Sequence, residues 1–188
     1  KLGLLLKKMA NKLNFLIFED RKYNDIGNTF NKQLINKNYN FKSWCDIVSI
    51  KSLNERFYKF NKIDIGIIII SDMSNENNNY FLDDIIYEYN NYKIKKINEE
   101  STDLVGIVTQ KNNLNNPSLL YFTPGVRINY KNDINNDQKY RTVEQALIQD
   151  NCDIIIVGSG IYESKDVAKT AEIYKMLGWT SYKKKINE

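Results

Sequence analysis

Short apolar runs alternate along the chain with longer stretches in which apolar and polar positions mix at helical spacing. The runs NFLIFED (14–20), CDIVSI (45–50), DIGIIIIS (64–71), DLVGIVTQ (103–110), SLLYFTPG (118–125) and CDIIIVGSG (152–160) have the length of buried strands, and most are rich in isoleucine and valine. Helix-length segments lie between most of them, at 28–40, 51–61, 80–98, 141–150 and 163–177, the last with Gly178 as its stop signal. The piece at 111–117 is too short for much of a helix. Strand-then-helix alternation predicts parallel strands joined by right-handed crossovers, hence an α/β sheet or barrel. The asparagine-rich stretches SNENNN (74–79) and NYKNDINND (129–137) read as exposed loops that follow strand ends. In a (β/α)8 barrel the loops after strands form the active face, so both would border a site.

Composition narrows the chemistry. A chain of 188 residues, 42% hydrophobic and 27% charged, fits one soluble globular domain over 1–188. Its apolar runs fall well short of the roughly 18 residues that a membrane span needs, so no membrane partner is expected. The net charge of +4 comes from dispersed lysines rather than a basic block, which argues against a nucleic-acid partner; Lys183, Lys184 and Lys185 read as a solvated tail. Cys45 and Cys152 each sit beside an aspartate in an apolar segment and read as ordinary core thiols, in keeping with a reducing compartment. The chain has no histidine, which removes the Ser-His and Cys-His arrangements and the common zinc sites together. Chemistry must therefore run on carboxylates, lysine and backbone. The chain begins KLGLLLKKMA, with lysine rather than methionine and no signal-peptide pattern, and reads as a fragment or a processed chain.

One cluster stands out at the end of the first apolar run. FEDRKYNDIGNT (18–29) packs Asp20, Lys22 and Asp25 into DxKxxD. Strand periodicity places Asp20 and Lys22 on the same side of the backbone, with Asp25 in the turn beyond. One ammonium then sits between two carboxylates, which favour its protonated form and hold it in place as a proton donor. A surface salt-bridge cluster is the plainer reading of such a triplet.

The stretch FEDRKYNDIGNT resembles the signature of the orotidine 5'-phosphate decarboxylase family, and TPGV (123–126), DQKYRT (137–142), DIIIVGSGI (153–161) and GWTSY (178–182) agree with it in order. DxKxxD alone is shared with phosphosugar decarboxylases and synthases of the same superfamily; the DIGNT continuation and QxYRT favour the nucleotide enzyme in its eukaryotic form. The resemblance implies a TIM (β/α)8-type barrel, here lacking its first two strands, that works as a cytoplasmic homodimer without metal or organic cofactor. The implied reaction turns orotidine 5'-phosphate into UMP and carbon dioxide in pyrimidine biosynthesis. Lys22 would protonate C6 of the pyrimidine, Asp20 would lie near the departing carboxylate, and Asp25 would enter the partner subunit's site. Thr29 would help bind the ligand across the dimer interface. Ser71 matches the serine that hydrogen-bonds the pyrimidine, Pro124 the loop that closes over the base, and Gln138 and Tyr140 the phosphate contacts. Gly158 and Ser159 lie in a strand-to-helix turn whose backbone N–H groups can face a phosphate.

The pattern also fails in places. The family expects arginine between the two glycines of the phosphate loop, where this chain has Ser159. Arg127, just after TPGV, is a candidate to reach the phosphate instead. Residues 1–12 align with the barrel's second helix, so the strands that supply a ribose-binding aspartate and a second lysine have no counterpart, and the segment after CDIVSI is short. A barrel depends on linked strand number and shear, so six strands should leave an open sheet that is unstable or aggregates alone. Two other readings stay open: a catalytically inactive remnant that binds nucleotide phosphate or pairs with a full-length subunit, and a sugar-phosphate decarboxylase or aldolase-like relative.

Overall fold

The computed structural model describes residues 2–24, 27–36, 40–51, 65–71, 87, 104–128 and 140–187. Among them are six strands, and the chain divides into two compact units, one of residues 1–71 and 80–106, the other of 72–79 and 107–188. Strand β4 (Leu104–Val108) runs through the division.

In the first unit, β1 (Phe18–Tyr23), β2 (Ile47–Ile50) and β3 (Gly66–Ile70) lie side by side in chain order, all parallel. All four residues of β2 are buried, as are the four isoleucines of β3, which is the pattern of strands covered on both faces. Helix α1 (Leu2–Leu13) docks through small and charged positions. Gly3 lies so close to Trp44 that a Cβ would stand 2.6 Å from the indole, Ala10 is buried, and Lys7 pairs with Asp46. Asp46 also accepts the Ile17 N–H at 2.9 Å. Burial alone would raise the Asp46 pKa, but the Lys7 hydrogen bond and the Ile17 N–H outweigh it and hold the carboxyl below its ordinary value.

The first strand begins later than the pattern predicts. Asn14 adopts a left-handed conformation (φ 55°) and Phe15 N–H still bonds to Ala10 O at 3.1 Å, so residues 14–17 finish the helix and turn before pairing starts at Phe18. The helix expected over 28–40 is α2 (Gly27–Ile35), followed by a 3-10 turn at Phe41–Ser43. Tyr23, Phe30 and Phe41 pack edge to face below β1. The helix expected at 51–61 lies outside the described residues except for Lys51, and that at 80–98 except for Tyr87, which is helical; the loops at 74–79 and 129–137 lie wholly outside them.

In the second unit, β5 (Leu120–Thr123) pairs in parallel with β6 (Ile154–Ile155), and Thr109 N–H, just past β4, reaches Phe122 O at 2.9 Å. The expected strand 152–160 contracts to two residues because Gly158 leaves extended geometry (φ −107°, ψ −101°) and α3 (Ser159–Tyr162) begins at once. The segment 141–150 does coil, opened by a reciprocal cap in which Thr142 Oγ1 accepts the Gln145 N–H and Gln145 Oε1 accepts the Thr142 N–H. Its body widens into a π-turn at Gln145–Gln149.

The last helix departs most from expectation. Helix α4 spans Val167–Asn187, starts under a cap from Asp166 Oδ1 to Lys169 N–H (2.9 Å), and runs straight through Gly178. A glycine ends a helix when it turns left-handed; Gly178 does not, and it costs only about 1 kcal/mol relative to alanine inside one. The lysines read as a solvated tail are helical, with Lys185 Nζ on Asp153 (2.7 Å) and the carbonyls of Asn151 and Cys152, and Lys184 on Glu144 (3.2 Å). Tyr174 from α4 fills the core of this unit with Val126, Val143, Ala146 and Leu147.

Candidate functional site

The acid–base cluster is built on an irregularity of β1. Glu19 pairs with Val48 and Tyr23 with Ile50, so three residues, Asp20, Arg21 and Lys22, face Ser49 alone. The extra length is taken up as a bulge, with Lys22 left-handed at φ 58°. For a side chain other than glycine this conformation costs about 1–2 kcal/mol and needs support. Lys22 N–H donates to Ser49 Oγ at 2.9 Å, Ser49 Oγ donates to Asp20 Oδ1 at 2.8 Å, and Lys22 Nζ donates to Asp20 Oδ2 at 2.5 Å. Arg21 lies over the Phe41 ring, 4.6 Å from its centroid, and Lys51 N–H rejoins the ladder at Tyr23 O. Asp20 and Lys22 therefore meet as expected, but through a bulge and not through strand alternation. Their side chains are each 38% exposed, so the pair is worth little as a salt bridge, and an ammonium in this position is open to a ligand.

Ser71, just beyond β3, is 4% exposed and its Oγ has no hydrogen-bond partner among the described residues. A buried hydroxyl without a partner is costly, which suits a group that meets a ligand. Thr29 is exposed on α2. Asp25 and Gln138 lie outside the described residues.

The second unit holds a cluster built round the Arg127 guanidinium. Gly125 takes φ 74° in the TPG turn, a left-handed position that favours glycine. Beyond it the chain is laced to the segment carrying Tyr140: Arg127 N–H donates to Arg141 O and Arg141 N–H to Gly125 O, each at 3.0 Å. The Arg141 guanidinium holds the same turn through Thr123 Oγ1 and Pro124 O and ties it to Gln110 O and Asp150. This pairing stacks the Arg127 guanidinium on the Tyr140 ring, 4.5 Å from its centroid, and points Nη2 at Ser159 Oγ, 2.8 Å away. Glu163 lies 3.5 Å from the same nitrogen, and Nε is buried with no hydrogen-bond partner among the described residues. Gly158 has room for a side chain, whereas a Cβ on Gly160 would stand 2.5 Å from the Tyr174 hydroxyl. Pro124, Tyr140, Gly158 and Ser159 thus gather in one unit, and Asp20, Lys22, Thr29 and Ser71 belong to the other.

Both cysteines are buried and free. Burial, reinforced by Glu19, lifts Cys45 to about 11, and burial also raises Cys152, so neither is a ready nucleophile. No cluster of metal-ligating side chains occurs among the described residues, and none of their helices is long and apolar enough to cross a membrane. Two supporting residues are given no role by the motifs. Ser49 has a visible signal, a hydroxyl inside the apolar run CDIVSI; Arg141 has only its place in QKYRT.

Parallel strands, with helical segments between β1 and β2 and between β5 and β6 among the described residues and the charged pair at a strand end, define an α/β protein of TIM-barrel type. The fold is similar to the crystal structure of orotidine 5'-monophosphate decarboxylase from Sulfolobus solfataricus, at a TM-score of 0.62 and 14% identity over 95% of this chain and 93% of that one. It is also similar to the orotidine 5'-phosphate decarboxylase of Pyrococcus horikoshii OT3, at a TM-score of 0.52 and 16% identity over 94% and 80%. The family model described as orotidine 5'-phosphate decarboxylase / HUMPS family matches residues 1–174. In sequence the chain is similar to the uridine 5'-monophosphate synthase of Naegleria gruberi, 33% identical over an alignment of 196 residues that covers 97% of this chain and 38% of that protein. It is similar as well to the orotidine 5'-phosphate decarboxylase of Pachysolen tannophilus, 30% identical over an alignment of 197 residues that covers 97% of this chain and 70% of that protein. The chain belongs to the orotidine 5'-phosphate decarboxylase family. It spans 38% of the length of the Naegleria protein and 70% of the Pachysolen one.

Proposed function

We propose that this chain carries the decarboxylase chemistry of its family, converting orotidine 5'-phosphate to UMP and carbon dioxide. The observation that carries the reading is the Lys22 ammonium held 2.5 Å from Asp20 at the end of a parallel strand. Loss of carbon dioxide breaks a carbon–carbon bond and leaves its electron pair on C6 of the pyrimidine. A fixed ammonium stabilises that charge without reorganising, then gives C6 a proton and regains one from solvent. Asp20 keeps the ammonium in place and is the residue assigned beside the departing carboxylate.

The rest of the substrate is assigned on the same reading. Ser71 offers its hydroxyl to the base, and Pro124 belongs to the loop that closes over it. Tyr140 and the turn at Gly158 and Ser159 take the phosphate, with Gln138. The guanidinium of Arg127 against Ser159 supports a phosphate role for Arg127 where the family has arginine in the loop itself. The proposal includes a cytoplasmic homodimer, without cofactor, in which Asp25 and Thr29 serve the partner's site. A non-catalytic remnant is the second reading, favoured by Ser159 standing in the place of that arginine.

Ligand competition tests the substrate class. UMP should displace a fluorescent nucleotide from the chain, and pentose and hexose phosphates should do so poorly. Equal displacement by sugar phosphates would contradict the nucleotide reading.

A further inference from the structure

Ser49 is opposite the β1 bulge and is fully buried, at 0% exposure, between Val48 and Ile50. A hydroxyl in such a strand has to find partners, and this one uses both of its roles on the charged pair. It accepts the Lys22 N–H at 2.9 Å and donates to Asp20 Oδ1 at 2.8 Å, while the other carboxylate oxygen takes Lys22 Nζ at 2.5 Å. The result is a closed ring that starts at the Lys22 backbone, passes through Ser49 and Asp20, and returns to the Lys22 side chain. Each bond corrects a freedom that the bulge creates. The left-handed Lys22 (φ 58°) sends its N–H to a side chain instead of a ladder carbonyl, and Asp20, 38% exposed, would otherwise rotate towards water.

We propose that Ser49 is a positioning residue of the decarboxylation: it holds Lys22 in its left-handed conformation and fixes the Asp20 rotamer, so that the ammonium is presented at one place. The inference rests on the decarboxylase reading for its kinetic consequence, but the ring is a property of the free protein. Alanine at 49 keeps the shape and deletes both bonds; threonine keeps the hydroxyl; cysteine keeps a weak donor.

The experiment compares the wild-type chain with Ser49→Ala, Ser49→Thr and Ser49→Cys in three measurements: kcat on orotidine 5'-phosphate, the Kd of UMP, and hydrogen exchange of the Lys22 amide without ligand. In Ser49→Ala, kcat should fall about 10- to 100-fold, the scale on which a small misplacement of a reacting group is felt. UMP affinity should stay within about twofold, because binding uses contacts that Ser49 does not make. Lys22 amide exchange should quicken about tenfold relative to the amides of Val48 and Ile50, as expected when a buried bond is lost. Ser49→Thr should restore both kcat and exchange, and Ser49→Cys should lie between, which also covers a failure of the alanine variant to fold. Unchanged exchange in Ser49→Ala, or a kcat loss matched by an equal loss of UMP affinity, overturns the proposal. A wild-type chain without turnover but with the exchange pattern described would defeat the decarboxylase reading and leave the positioning of Lys22 by Ser49 standing.

Discussion

Replacing Arg127 by glutamine removes the guanidinium that meets Ser159 Oγ at 2.8 Å and rests on Tyr140, while keeping much of the side-chain length. If that group grips the substrate phosphate, its loss costs a charge-assisted hydrogen bond, about 1.5–3 kcal/mol. Two features pull the figure to the lower end. The Arg127 side chain is 26% exposed, so solvent screens it, and its contact with Glu163 at 3.5 Å is given up when a phosphate takes that place. A net loss of about 1.5–2 kcal/mol corresponds to a Kd for UMP raised about 10- to 30-fold. Calorimetric titration with UMP and with uridine separates this from damage to the fold, because uridine lacks the phosphate and its affinity should not move. Arg127→Lys should recover part of the loss, since a lysine supplies the charge without the planar fork. Unchanged UMP affinity in Arg127→Gln, or an equal loss for uridine, would mean that Arg127 does not hold the phosphate.

Three further outcomes follow from the packing. Gly160→Ala places a Cβ 2.5 Å from the Tyr174 hydroxyl and should lower Tm by about 2–12 °C, whereas Gly158→Ala, with its nearest neighbour at 3.6 Å, should leave Tm nearly unchanged in the same thermal scan. Asp46 is held below its unfolded value of 3.8, so its stabilising contribution is complete above that pH and is lost as the pH falls through the folded-state value. Acid titration of Trp44 fluorescence in a Trp179→Phe background should show α1 releasing in this range, and Asp46→Asn should remove that part of the pH dependence. Cys45, lifted to about 11, and Cys152 should resist iodoacetamide at pH 8 in the native chain and react once it is unfolded, as a mass shift would record.

Much of the fold was legible because strands buried on both faces read as apolar runs, as β3 does throughout and β2 does apart from Ser49. What escaped reading depends on contacts distant in sequence. Asn14 and Gly158 shorten the first and last runs by backbone conformations that composition does not encode. Gly178 looked like a stop, but the contacts of Lys184 and Lys185 with Glu144 and Asp153 carry the helix onward. At the site, DxKxxD announced the acid–base pair, yet period-2 alternation was the wrong reason for its closeness. Ser49 bonds to Lys22 and Asp20 across the bulge, contacts that are visible only when β2 lies beside β1. The Arg127 to Ser159 contact joins residues 32 apart and depends on the turn at Gly125 and the clamp of Arg141.

Lys22 as the proton donor of a decarboxylation is tested by the loss of orotidine 5'-phosphate absorbance on adding the wild-type chain, beside Lys22→Ala, with UMP identified as the product. Turnover should occur in the wild type and disappear in the variant while UMP still binds. Turnover that survives Lys22→Ala, or a folded wild-type chain that binds UMP and never releases carbon dioxide from orotidine 5'-phosphate, would contradict that role.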